Sequence, residues 1–235
     1  MGWLKTVDQY YYGANNSIAI AGVQYIYDTT IEELWKDSQK KFVSVEMEFF
    51  SRWWYEQNAA TRHKVTKLVQ RYIHHLLKPY CYINFFYWRG QLEFVGGGWC
   101  MNDEAAASYV DIIDQMTMGL KFLKSTFGDC GLPTAVWQID PFGHSKEQAS
   151  IFSQMGFEFL FLGRIDHQDK SRRLENREME MVWKASNDLN VSLFTGVLYN
   201  TYSPPKGFCF DILCGDEPIV DDPKSPMYNI NRRVS

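Results

Sequence analysis

The chain has no long uninterrupted apolar run, and no stretch reaches the roughly 20 apolar residues that a membrane-spanning helix needs. Its opening, "MGWLKTVDQY", lacks the continuous apolar segment of a secretory leader. Positive charge is not in excess either. The 24 Lys and Arg stand against 28 Asp and Glu, giving a net charge of −4 with no basic run, which argues against a nucleic-acid partner. Cysteine is scarce and odd in number, at five, and only Cys209 and Cys214 lie close in sequence. From spacing alone, a small disulfide loop and two buried thiols are equally open for that pair.

Small motifs outside the core add little. Asn15-Asn16-Ser17 and Asn190-Val191-Ser192 are sequons that permit glycosylation of a secreted chain. Gly2 followed by Thr6 has the spacing of a myristoylation signal, a match that arises often by chance.

What is present is length and apolar content. With 235 residues and 46% hydrophobic side chains, the chain is long enough for one sizeable core or for a large piece of a bigger one. Aromatic residues reach 16%, including eight Trp, which fits a rich core and leaves rings available as carbohydrate platforms.

Apolar runs alternate with helix-like segments. "KFVSVEMEFF" (41–50), "GQLEFVGGGW" (90–99), "TAVWQID" (134–140), "FEFLFLGR" (157–164) and "VSLFTGVLY" (191–199) read as strands, short and rich in β-formers. "SRWWYEQNAATRHKVTKLVQ" (51–70), "NDEAAASYVDIIDQMTMGLKFLKSTFG" (102–128) and "HSKEQASIFSQMG" (144–156) read as helices, the second opening at Asn102-Asp103 and closing at Gly128. That order predicts an α/β fold: a mainly parallel sheet, or an incomplete (β/α) barrel-like domain occupying residues 1–235.

In such folds reactive groups collect where strands end. Three strand ends carry an acid beside small or aromatic residues: Asp103 and Glu104 after Gly97-Gly98-Trp99, Asp140 in Asp140-Pro141-Phe142-Gly143-His144, and Asp166 after Gly163-Arg164. One such acid alone is usually a helix N-cap. Three at matching positions point to a site.

One segment breaks the pattern. "RYIHHLLKPYCYINFFYW" (71–88) is crowded with Tyr, Phe and Trp, holds no acid, and has Pro79 in its middle. It is too short to span a membrane, is interrupted by proline, and lacks the polar face of an amphipathic anchor. Removing it leaves "KLVQRGQLEF", a short helix-to-strand turn, so it reads as an insertion of the kind a retained intron leaves.

Seven ordered blocks carry a resemblance: "GWLKTVDQYYYG", "EFFSRWW", "GGWCMNDEA", "DQMTMGLKFL", "IDPFGHSKEQA", "GFEFLFLGRID" and "FTGVLYNTYSPP" leading to "FCFDILC". Together they resemble the N-terminal catalytic region of lysosomal-type α-mannosidases, glycoside hydrolase family 38. The resemblance implies a retaining, zinc-dependent hydrolase that removes terminal α-linked mannose from N-glycans and other mannose-containing oligosaccharides in the lysosome.

By motif position it implies that Asp140 is both nucleophile and zinc ligand. Trp3 and Phe142 would wall the mannose pocket, Arg164 would orient the nucleophile, and Tyr202 would touch substrate. Asp103 and Glu104 take supporting or capping roles, His144 bonds locally rather than to metal, and Cys209 and Cys214 form a short disulfide. A carboxylate at a strand end stiffened by Pro141 suits a nucleophile that must sit beneath the anomeric carbon.

The family also draws two zinc ligands from a His-x-His-Asp-Asp run just before the Gly-Trp, and a general acid and a last zinc histidine from later segments. None of these stands between Met1 and Ser235, so the expectation for this chain alone is an incomplete site. Two other readings remain: a truncated, non-catalytic glycan-binding or interaction module, and a different metal-dependent carbohydrate enzyme, such as a deacetylase, on a related barrel.

Overall fold

The computed structural model describes residues 4–14, 22–70, 90–209, 216, 220 and 223–229. Trp3, Cys214, the Asn15 sequon and the 71–88 segment lie outside the described residues.

The described chain is a mixed α/β fold. Helices α1 (Val7–Tyr12) and α2 (Val23–Lys36) come first, followed by strand β1 (Phe42–Ser44), helix α3 (Met47–Glu56), helix α4 (Ala59–Gln70) and strand β2 (Leu92–Phe94). Helix α5 (Tyr109–Phe127), strand β3 (Ala135–Gln138), helix α6 (Lys146–Gln154), strand β4 (Phe159–Leu162) and helix α7 (His167–Asn176) continue the alternation. It ends in strands β5 (Glu180–Ser186) and β6 (Val191–Val197).

β1 pairs with β2 in parallel. β3, β4 and β6 are parallel in that order, and β5 lies antiparallel on the outer side of β6. The two sheets are stitched where Gly96 N–H donates to the Ala135 carbonyl at 2.8 Å, so β2 and β3 run side by side at their ends. The sheet is mainly parallel and, among the described residues, does not close into a barrel.

Two apolar clusters hold these layers. Phe50, Trp53 and Trp54 of α3 pack with Tyr27, Phe94 and Phe127, with ring centroids 5.0 Å apart for Phe50 and Phe94. Val136, Leu160, Leu162 and Leu193 form the second cluster against Phe152 of α6. Alternating burial along β3 and β4 follows from one sheet face turning to the helices.

Several element boundaries differ from the sequence reading. The run 41–50 is a strand only as far as Ser44, because Met47, Phe50, Trp53 and Trp54 recur at helical spacing and bury one face of α3. The helix expected over 51–70 is two helices: Asn58 Oδ1 accepts from Thr61 N–H at 2.9 Å, which starts α4 anew after a break at Gln57. The helix expected from Asn102 starts at Tyr109, since Asp103 closes a local turn through the N–H groups of Ala105 and Ala106. β2 is three residues long because Gly96 and Gly97 adopt φ of 72° and 73° and turn the chain out of the ladder.

Candidate active site

The parallel register puts the C-terminal ends of β3, β4 and β6 on one side: Gln138 opposes Leu162, and Leu162 opposes Val197. The loops that follow carry Asp140, Arg164 and Tyr202. Gly163 lets the first two approach, because a Cβ there would sit 2.2 Å from the Ile139 carbonyl oxygen.

Arg164 donates from Nε at 3.1 Å and from Nη2 at 2.8 Å, both to Oδ1 of Asp140. Oδ2 of Asp140 makes no hydrogen bond among the described residues, and the side chain is 42% exposed. The Arg164 Nη2 also donates to the Tyr202 hydroxyl at 2.8 Å. Its guanidinium carbon lies 5.4 Å from the Tyr202 ring centre and 6.0 Å from that of Phe142. Phe142 is 76% exposed, so a large apolar ring stands open to solvent beside an ion pair. The result is an open, charged and aromatic patch: one carboxylate oxygen held, the other free.

The remaining candidate acids are engaged by other groups of the chain. Asp103 accepts from Ala105 and Ala106, which holds its carboxyl below the usual range. Asp166 caps α7 by accepting from Gln168 and Asp169 N–H, both at 3.0 Å. Glu104 faces inward, with Oε1 2.9 Å from His144 Nδ1 and Oε2 accepting from Ser145 N–H at 2.6 Å. His144 Nε2 lies 2.8 Å from the Arg164 carbonyl oxygen. Thus Asp140, Phe142, Arg164 and Tyr202 come together, Glu104 and His144 lie directly behind Arg164, and Asp103 serves its own turn.

Beneath the strand ends lies a small cavity of about 20 Å³ that does not include Asp140 or Arg164; Glu46, Gly97, Cys100, Met116 and Gln138 are among its walls. Burial pushes the Glu46 carboxyl up, partly offset by the 2.9 Å hydrogen bond from Met101 N–H. Sequence reasoning missed Glu46, an acid just past a short strand with no neighbouring motif. Cys100, also on this wall, is a free thiol.

Among the described residues no group of three or more His, Cys, Asp or Glu converges as a metal site would require. A catalytic zinc takes about three protein ligands. Asp140 alone does not make such a site.

A model of the glycosyl hydrolases family 38 N-terminal domain matches residues 1–76 and 83–235. The chain belongs to this family. It is 53% identical over 238 residues to the lysosomal alpha-mannosidase of Cavia porcellus and 52% identical over 237 residues to that of Homo sapiens. The Dictyostelium discoideum lysosomal alpha-mannosidase is 47% identical over 235 residues. Each alignment takes in the whole of this chain, but the chain spans only 22%, 22% and 21% of those three relatives.

Among solved structures, an alpha-mannosidase from Enterococcus faecalis V583 aligns with TM-score 0.54 at 14% identity, over 77% of this chain and 18% of that one. A 4-alpha-glucanotransferase from Thermococcus litoralis aligns with TM-score 0.53 at 17% identity, over 74% and 24%. At such identities these two speak to the fold, and the family 38 match speaks to descent.

Proposed function

We propose that this chain carries the nucleophile side of a retaining α-mannosidase site, with Asp140 as the attacking carboxylate and terminal α-linked mannose of N-glycans and oligomannose as the substrate. The observation that carries the reading is the asymmetry of Asp140: Arg164 holds Oδ1 with two N–H groups and leaves Oδ2 open. A carboxylate so held keeps its orientation, and its free oxygen is the one that attacks the anomeric carbon. A bond from Oδ2 to that carbon forms as the glycosidic C–O bond breaks. The leaving oxygen takes a proton from a second carboxyl group about 5 Å from the first, and water then hydrolyses the covalent intermediate.

Asp103 and Asp166 are committed to backbone N–H groups, so neither is assigned as that acid. Phe142 and Tyr202 offer ring faces to the sugar, and Trp3 belongs to the same wall by motif. Zinc is assigned to the complete enzyme, with Asp140 as this chain's one contribution.

The disulfide and the compartment belong to the same reading. Asp216 Oδ2 accepts from Gly207 N–H at 3.0 Å and Cys209 N–H at 2.9 Å, and the pairing of Cys209 with Cys214 rests on the family resemblance. Its lysosomal relatives support assignment to the lysosome.

The test uses the full-length protein that contains this chain. Asp140→Asn should abolish hydrolysis of a nitrophenyl α-mannoside, lowering turnover by about three orders of magnitude or more. Wild-type-like turnover by that variant rules the assignment out. Residues 1–235 alone should neither retain stoichiometric zinc nor cleave the mannoside above background, and chelator-sensitive cleavage by them would show that a replacement acid lies within.

A further inference from the structure

We propose that Glu104 and His144 form a positioning pair that holds the Arg164 backbone, and through it directs the Arg164 guanidinium onto Asp140. The pair matters to catalysis only if Asp140 is the reacting carboxylate, so the inference rests on the reading above.

Both His144 nitrogens are occupied, one 2.9 Å from the Glu104 carboxylate and the other 2.8 Å from the Arg164 carbonyl. An ionised carboxylate and a peptide carbonyl are both acceptors, so the ring satisfies both only as an imidazolium with two N–H donors. A neutral ring donates to one and abandons the other.

The second Glu104 oxygen accepts from Ser145 N–H at 2.6 Å, so the carboxylate grips the loop that carries His144 from two points. The pair is enclosed: the side chains of His144 and Glu104 are 9% and 3% exposed. Hydrogen bonds to a charged donor are about twice as strong as neutral ones, and burial spares them from solvent screening.

Three strand ends thereby meet. Glu104 follows β2, His144 follows β3, and Arg164 follows β4. Next to it, the Gly163 carbonyl accepts from Lys170 Nζ on α7 at 3.1 Å. Two successive carbonyls just past β4 are thus held, one by His144 from the loop after β3 and one by Lys170 from α7. The Arg164 side chain leaves from this clamped backbone to Asp140 and Tyr202.

The charged group that meets the ring is Glu104, from the loop after β2; Arg164 meets it through its carbonyl, while the Arg164 side chain is paired with Asp140 and Lys170 of α7 bonds the neighbouring Gly163 carbonyl. Burial lowers the pKa of His144, but the hydrogen bond and charge of Glu104, with the Arg164 carbonyl, outweigh it and leave it raised above the ordinary value.

The test is nuclear magnetic resonance on the full 235-residue chain, which reads no turnover and so fails or succeeds independently of the mannosidase reading. Across pH 5 to 9, the His144 side-chain nitrogens should show an imidazolium at the acid end. The Arg164 Nε–H signal should stay protected there and collapse toward the free-arginine shift with the same midpoint as His144. Glu104→Gln should move both midpoints down together, whereas Asp140→Asn should release the Arg164 signal and leave His144 with its Glu104 partner. An Arg164 signal indifferent to the His144 midpoint, or a neutral ring at the acid end, overturns the proposal. The wild-type titration decides this even where Glu104→Gln fails to fold.

Discussion

Arg164 and Asp140 meet side-on: two guanidinium nitrogens, 3.1 and 2.8 Å away, converge on a single carboxylate oxygen. In a fork-to-fork pair each carboxylate oxygen would take one bond. Here the geometry spends both on Oδ1, and the planar shape of guanidinium makes that possible. In the full-length protein, Arg164→Lys should keep a positive charge but lose the double contact, lowering kcat about 10- to 100-fold. Steady-state kinetics on a nitrophenyl α-mannoside would check it, and unchanged kcat would mean the second N–H does nothing.

Gly163 is the joint that lets these two loops approach. Gly163→Ala should drive a methyl into the Ile139 carbonyl, 2.2 Å away, and cost about 2 kcal/mol in urea unfolding. Gly143→Ala is the control, since a Cβ there meets nothing within 4 Å. Equal stabilities for the two variants would show that the strand ends can part without penalty.

Much of this arrangement was legible in the sequence, and its limits have physical causes. Asp140 stood out because an acid, a proline and an aromatic follow an apolar run, and the alternation of strand and helix named the end of the sheet on which it lies. The start of the helix, 47–50, was hidden because Glu46-Met47-Glu48-Phe49 alternates like a strand, while its burial follows the longer period of Met47, Phe50, Trp53 and Trp54. β5 was missed because its alternation of exposed and half-buried residues at a sheet edge carries little apolar signal. The inward turn of Glu104 toward His144 joins residues forty positions apart, and no local pattern reports that.

Stability should fall as pH rises. His144 has a raised folded pKa, so its contribution is complete below the ordinary value near 6.5 and is lost as pH climbs through the raised one. Glu46, raised mainly by burial, binds its proton more tightly folded than unfolded, so ionising it above the ordinary 4.5 also costs stability. Exposed acids held low, such as Asp103 and Asp169, act in the opposite sense at strongly acid pH but are screened by solvent. Thermal melts of the chain should show a higher midpoint at pH 5.5 than at pH 8.5. Glu46→Gln should narrow that difference by gaining stability at the alkaline end. A midpoint that rises with pH would reverse the assignment.

The 71–88 segment should be dispensable to the fold. Gln91 N–H donates to the Leu68 carbonyl at 3.0 Å, and a Cβ on Gly90 would lie 2.1 Å from that same oxygen, so the chain leaves α4 and re-enters β2 at nearly one point. Deleting 71–88 should therefore preserve cooperative unfolding and the amide spectrum of the α3, α4 and β2 residues. Loss of cooperativity would mean the segment is part of the core.

The central claim, that Asp140 is the nucleophile of a retaining mannosidase, is tested most directly by trapping the covalent intermediate. The full-length protein would be incubated with a slow-turnover fluoromannosyl fluoride, digested with pepsin, and its peptides weighed and sequenced by mass spectrometry. The account predicts one fluoromannosyl group on the peptide containing Trp137 to Lys146, attached at Asp140 and absent from Asp140→Asn. A sugar adduct on any other carboxylate, with Asp140 unmodified, would contradict it.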